Sequence, residues 1–204
     1  MVAVIAMDGP SGSGKSTVAR LVAEKKSWFY LNTGAMYRAV GLYLVDNDIP
    51  CDNTEVTDKV LESVDVNFDV DGRILLNKED ISERILTPEA ARFASDYSRL
   101  PAVRRLMTAL QRKIVLSRPS VVEGRDIGTV VFPDADHKFF IVASPKERAR
   151  RRYLQLKEKD PETTITIEEI LLEQKERDQQ DAERSGPPEA SERCNPRGNH
   201  GENH

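Results

Sequence analysis

Cysteine is nearly absent from this sequence. Of its 204 residues only Cys51 and Cys194 carry thiols, too few and too far apart for a disulfide framework or a metal knuckle. Histidine is as scarce, and His137, His200 and His204 form no ligand cluster. Aromatic residues amount to 6%, with a single tryptophan, which leaves no stacking platform for the bases of a nucleic acid. The apolar run Val2–Met7 is too short for a secretion signal or a membrane span. A net charge of −4 and a pI near 5.5 remove any general attraction to polyanions or anionic bilayers. Together these absences predict a reduced, soluble, cytoplasmic protein with neither a nucleic-acid nor a membrane partner.

What is present suits one compact domain. Hydrophobic residues make up 39% of the chain and charged residues 31%, enough for a real core with room for a small inserted lobe. Val2 to Met7 has the continuous apolar pattern of a buried parallel strand. A glycine-rich turn follows, then a helix over about 15–26 with Val18, Leu21 and Val22 on one face. Residues 28–31 read as a second strand and 35–45 as another helix. This β-loop-α-β-α opening predicts an α/β sandwich on a parallel sheet.

The middle of the chain changes period. Val64 to Val70 alternates apolar and polar, and Asp71-Gly72 turns the chain into Arg73 to Leu76, a small antiparallel patch inserted off the main sheet. Thr87-Pro88 supplies an N-cap and a first-turn proline, so helices are expected over about 88–98 and 102–117, divided at Pro101. Residues 120–123 and 137–143 read as buried strands. Ser144-Pro145-Lys146-Glu147 is a capping box that starts a basic helix reaching about Glu158, and Thr166 to Glu169 is a second one, with Ile167, Ile170 and Leu171 on one helical face. From Ser185 to His204 almost nothing is apolar, the composition of a disordered tail.

Chemistry first shows at Gly9-Pro10-Ser11-Gly12-Ser13-Gly14-Lys15-Ser16, which fits G-x-x-x-x-G-K-[ST] between a strand and an amphipathic helix, with Thr17 next to it in the ATP site. Glycines let successive backbone N–H groups turn inward around an anion, and the helix N-terminus adds partial positive charge. In this P-loop Lys15 reaches the outer phosphates of ATP and Ser16 holds Mg²⁺. The loop predicts a nucleoside-triphosphate site and no particular reaction.

Three further segments narrow it: Asn32-Thr33-Gly34-Ala35-Met36-Tyr37-Arg38, Gly124-Arg125-Asp126-Ile127-Gly128-Thr129, and Lys175-Glu176-Arg177 through Asp181 to Arg184. With the loop they closely resemble bacterial cytidylate kinases, over residues 1 to about 184. The resemblance implies a P-loop three-layer sandwich with a monophosphate-binding lobe over about 52–100 and a lid over about 148–165. It implies transfer of the γ-phosphoryl group of ATP to CMP or dCMP by a monomer, with Mg²⁺. It also implies that Thr33, Tyr37 and Arg38 line the CMP pocket, and that Arg38, Arg125 and Arg184 hold its phosphate. Ser95, Arg104 and Asp126 would read cytosine, and Arg177 and Asp181 the ribose. The chemistry agrees: a phosphate dianion suits several guanidinium forks, and a carboxylate accepts from the exocyclic amino group of cytosine. The blander alternative is that Arg125 and Asp126 simply pair as a structural salt bridge. Arg148 and Arg152 lie four apart on one helical face and, as in related lids, would act with Lys15 on the transferred group.

The sequence departs from the family at two places. Asn32 stands where an acidic residue is usual, and after Arg184 the family's last strand and helix are replaced by the tail 185–204. That tail leaves open a non-catalytic nucleotide-binding protein, and the loop leaves open a P-loop kinase for another small acceptor. Asp8 and Glu123 are candidates to support the waters of Mg²⁺, or equally structural residues.

Overall fold

The computed structural model describes residues 2–52, 58–69 and 71–185, with the backbone alone at 58, 159, 177 and 180–185. In chain order come β1 (Val4–Asp8), α1 (Lys15–Lys26), β2 (Phe29–Asn32), α2 (Thr33–Asp46) and the short α3 (Asp58–Leu61). Next are β3 (Val66–Phe68), β4 (Ile74–Leu76), β5 (Glu79–Asp80), α4 (Pro88–Tyr97) and α5 (Pro101–Val115). The chain continues through β6 (Ser120–Gly124), a π-type turn at Ile127–Val131, β7 (His137–Phe140), α6 (Pro145–Lys159) and α7 (Ile167–Ser185).

All five residues of β1 are buried, as a continuous apolar run in a parallel sheet requires. β1 pairs in parallel with β6 on one side and β7 on the other, and β2 flanks β6, giving the order β2-β6-β1-β7. Its side chains alternate between two cores. Val4 and Ala6 join the large cluster built with α2, α4 and α5, while Ile5 and Met7 pack on Ala19 and Ala23 of α1. Helices on both faces make the expected α/β three-layer sandwich. The register sets Asp8 opposite Gly124 and Phe140, and Asn32 opposite Glu123. The carboxyl ends of all four strands therefore open onto one edge, where ligands of such sheets bind.

The small sheet β3-β4-β5 is antiparallel, as the period-two pattern predicts, although its first strand spans only Val66–Phe68. Val66, Ile74, Leu76 and Ile81 are buried in the same cluster as α2, so the inserted sheet shares the main core. The helices begin where their caps predict: Thr87 accepts from the Ala90 N–H at 3.1 Å and Ser144 from the Glu147 N–H at 3.3 Å, and Thr166 and Glu169 cap each other.

Two sequence expectations are corrected. Val18 and Leu21 are 40% and 59% exposed, and the buried face of α1 is Ala19 and Ala23. Small side chains allow the helix to lie close on the sheet, which apolar periodicity weighted by size does not reveal. β7 ends at Phe140 rather than residue 143 and is not buried: Phe139, Phe140 and Val142 are all about half exposed or more. Its place at the end of the strand order leaves one edge without a partner among the described residues.

Candidate active site

The phosphate loop is fixed at its base by contact with the strand end. Gly9 has φ 148°, and a Cβ there would lie 2.1 Å from the Ile141 carbonyl oxygen, so no other residue fits without displacing the backbone. Lys15 Nζ donates back to the Pro10 carbonyl at 3.3 Å, which curls the side chain over the loop. Ser11 through Thr17 line a cavity of about 1130 Å³ between the loop and the helices α4, α6 and α7.

A smaller cavity of about 260 Å³ adjoins it, and the two share Ser11, Gly12, Lys15, Ser16, Arg38, Ala91 and Ser95. Seven residues assigned to CMP by resemblance line it together: Thr33, Tyr37, Arg38, Ser95, Arg104, Arg125 and Asp126. Each arrives for a local reason. Asn32, the departure from the family's usual acid, caps α2 by accepting from the Ala35 N–H at 3.1 Å. Thr33 donates its hydroxyl to the Glu123 carbonyl at 2.7 Å, tying α2 to β6, and Tyr37 and Arg38 follow one turn on. Ser95 comes close because Gly41 lets α4 in. A Cβ at Gly41 would sit 3.0 Å from the Phe93 backbone carbon.

Arg104 Nη2 donates to Asp126 Oδ2 at 2.5 Å, so two residues expected to read one base are first bonded to each other. The turn after Asp126 is held from outside by Arg112, whose guanidinium donates to the carbonyls of Val130 and Val131 at 2.9 and 2.8 Å. From inside it is held by Asp8, which accepts from the Ile127 and Gly128 N–H groups.

Glu123 is 2% exposed. Tyr30 donates to its Oε1 at 2.5 Å, while Oε2 is buried with no partner among the described residues. Burial, with Glu123 beside it, pushes the Tyr30 phenol upward and keeps it a donor. The orphaned oxygen belongs to a residue that lines the cavity with Ser16, a donor set of hydroxyl and carboxylate that suits a hard divalent cation.

Arg148 is 3% exposed. Its Nη1 donates to the Ser11 carbonyl at 3.2 Å, and Nη1 and Nη2 donate to Asp178 Oδ1 and Oδ2 at 3.2 and 2.5 Å. Arg152 lines the larger cavity. Arg151, which helical spacing from Arg148 to Arg152 passes over, donates to the Ser13 carbonyl at 3.3 Å and to Glu147 Oε1 at 2.8 Å. Hydrogen bonds from Arg150 and Arg151 hold the Glu147 carboxyl down at about 2.

Three other residues escaped the sequence reading. Gln111 lies two turns after Arg104, lines the smaller cavity and has a buried Oε1 without a partner among the described residues. Gln174 lines the larger cavity beside Gly12 and likewise has an unpartnered Oε1. Asp178 lies inside the quoted 175–184 segment, but no sequence signal paired it with Arg148, whose burial only the structure shows. The side chains of Arg177, Asp181 and Arg184, and the tail beyond 185, lie outside those the structure describes. No described helix is long and apolar enough to cross a membrane.

With this geometry in place, likeness to known proteins is specific. The family model described as cytidylate kinase matches residues 5–191. A cytidylate kinase of Pseudothermotoga lettingae is 49% identical over 185 residues, 91% of this chain and 81% of that one. A cytidylate kinase of Fervidobacterium nodosum is 48% identical over 90% of this chain and 82% of its own length. One from Clostridioides difficile is 44% identical over 91% and 84%.

Proposed function

The chain belongs to the cytidylate kinase family, and from that premise we propose that its cleft transfers the γ-phosphoryl group of ATP to CMP or dCMP, giving ADP and CDP or dCDP. The observation that carries the site assignment is the meeting, in one cavity, of Lys15 and Ser16 with Thr33, Tyr37, Arg38, Ser95, Arg104, Arg125 and Asp126. ATP lies along Gly9 to Thr17 and into the larger cavity; CMP occupies the smaller one.

The acceptor needs no general base. A phosphate monoester has its second pKa near ~6 and is already largely a dianion at neutral pH. One of its oxygens forms the new bond to the γ-phosphorus as the β–γ bridging oxygen leaves with its electron pair on ADP. The work of the chain is alignment and charge neutralisation. Arg38 and Arg125, with Arg184, hold the acceptor phosphate. Asp126, fixed by Arg104, accepts from the cytosine amino group and repels the O4 of uracil; Ser95 lies beside them, and Arg177 and Asp181 serve the ribose. Lys15 curls over the loop to meet the phosphates, Arg152 brings further positive charge from α6, and Arg148, paired with Asp178, reaches them only by leaving that partner as the lid closes.

Mg²⁺ fits the hydroxyl of Ser16 and the unpartnered carboxylate oxygen of Glu123, and bound there it supplies charge neutralisation on the ATP phosphates. Residues of about 52–100 form the acceptor lobe and about 148–165 the lid that excludes water. The protein acts as a cytoplasmic monomer.

ADP release with MgATP and each of CMP, dCMP, UMP, AMP and shikimate tests this. CMP and dCMP should exceed the others by at least about fivefold, the lower end of what one base-edge pairing discriminates. Equal or greater turnover of UMP, AMP or shikimate, or ATP binding with no acceptor used, would reject it.

A further inference from the structure

The last residue of β1 does more than lead into the phosphate loop. Asp8 is 7% exposed. Its Oδ1 accepts from the Ile127 N–H and its Oδ2 from the Gly128 N–H, both at 2.8 Å. These two groups directly follow Asp126 and open the π-type turn. The N–H groups of Val130 and Val131 donate to the Asp126 carbonyl at 2.9 and 3.2 Å, and Phe132 N–H donates to the Ile127 carbonyl at 2.7 Å. The first N–H groups of any helical turn have no partner within it, and here the carboxylate of Asp8 takes both.

Only a carboxylate offers two equivalent acceptors to two adjacent N–H groups. An asparagine would set its own amide N–H₂ against one of them. The choice is costly in this location. Burial, with Asp126 nearby, pushes the Asp8 carboxyl up, and the two backbone N–H groups and Lys15 pull it back. The backbone of the same residue is also engaged, its carbonyl accepting from the Ile141 N–H at 2.8 Å. Asp8 is thus joined covalently to Gly9 of the phosphate loop and by hydrogen bonds to the turn carrying Asp126, which in turn holds Arg104.

We propose that Asp8 is a positioning residue that sets Asp126 and its Arg104 partner at a fixed distance from the phosphate loop, and so helps to fix the selectivity for cytosine. The proposal rests on the reading of the smaller cavity as the CMP site. Asp8 touches no substrate in this account. It acts through the backbone of Ile127 and Gly128, with one of its oxygens on each N–H.

The test compares Asp8→Asn and Asp8→Glu with the unsubstituted chain and with Val121→Ala, a core change in β6 away from both cavities. KM and kcat are measured for CMP, UMP and ATP, and the Ile127 and Gly128 amides are followed by ¹⁵N NMR. Asp8→Asn should raise KM for CMP at least about tenfold, the effect of about 1.4 kcal/mol. It should narrow the CMP:UMP ratio of kcat/KM, leave KM for ATP within about twofold, and shift both amides. Asp8→Glu keeps two acceptors on a longer arm, and should narrow the CMP:UMP ratio less. Val121→Ala should lower Tm while leaving the ratio unchanged.

A CMP:UMP ratio in Asp8→Asn equal to that of the unsubstituted chain overturns the proposal. If Asp8→Asn does not melt cooperatively, an unchanged ratio in Asp8→Glu overturns it equally. Should the unsubstituted chain fail to use CMP, the site reading falls and the selectivity claim with it. The amide signals would still show whether Asp8 holds the turn, so the two failures remain distinguishable.

Discussion

Replacing Asp178 with alanine would strand a cation inside the protein. Arg148 is 3% exposed and is held in a two-pronged fork by Asp178 at 3.2 and 2.5 Å. Without that carboxylate it keeps, among the described residues, only the Ser11 carbonyl at 3.2 Å, and its Nε is already buried with no partner among them. Removing one member of a buried pair costs about 3–5 kcal/mol. Asp178 is itself 31% exposed, so water enters its place and the cost falls to about 2–3 kcal/mol. For a chain of this length each kcal/mol moves Tm by about 2–4 °C, so Asp178→Ala should melt about 4–12 °C lower. Adding Arg148→Met removes the stranded charge and should return at least about 1 kcal/mol of the loss. Thermal and urea melts followed by circular dichroism give both numbers. A loss within about 0.5 kcal/mol, or a double variant less stable than Asp178→Ala alone, would refute the reasoning.

Three further outcomes follow from the geometry. Gly9→Ala places a Cβ 2.1 Å from the Ile141 carbonyl and should abolish MgATP binding by calorimetry, with a Tm drop larger than that of Asp178→Ala. Gln111→Leu removes a buried, unpartnered carbonyl and should raise the stability of the ligand-free chain by about 1 kcal/mol; a lower Tm would mean that the oxygen has a partner. Glu147 should titrate at about 2 by ¹³C NMR, and truncating Arg150 and Arg151 to alanine should return it toward the usual 4.5. Because its folded value is depressed, its stabilising contribution is present above about pH 4.5 and disappears as pH falls toward 2.

Features set by neighbouring residues were legible in the sequence. The strand, loop and helix around Lys15, and the caps at Thr87, Ser144 and Thr166, follow from a few consecutive side chains and their backbone preferences. Convergence of Thr33, Tyr37, Arg38, Arg104 and Asp126 was legible only through family resemblance, since no spacing rule connects α2, α5 and the turn after β6. Contacts that depend on tertiary approach were not visible. Arg148 finds Asp178 across two helices, Arg104 of α5 finds Asp126 after β6, and Arg151 of α6 reaches the Ser13 carbonyl of the loop. The errors have the same origin. Alanines at 19 and 23 look neutral until the sheet lies against them, and the apolar run at 137–143 looks buried until the strand order places it at an edge.

The strand order also has a consequence for synthesis. Val4 lies opposite Ser120 and Ile5 opposite His137, so β1, one of the two inner strands, is made before either of its neighbours. At about 5–20 residues per second, the interval before Ser120 is made is about 6–23 s. Residues of α2 and α4 are complete well before then and can dock on each other without the sheet. Throughout that time the apolar run Val4 to Met7 lacks its strand partners, with α1 alone to cover Ile5 and Met7, and is the segment for which a chaperone would be needed most.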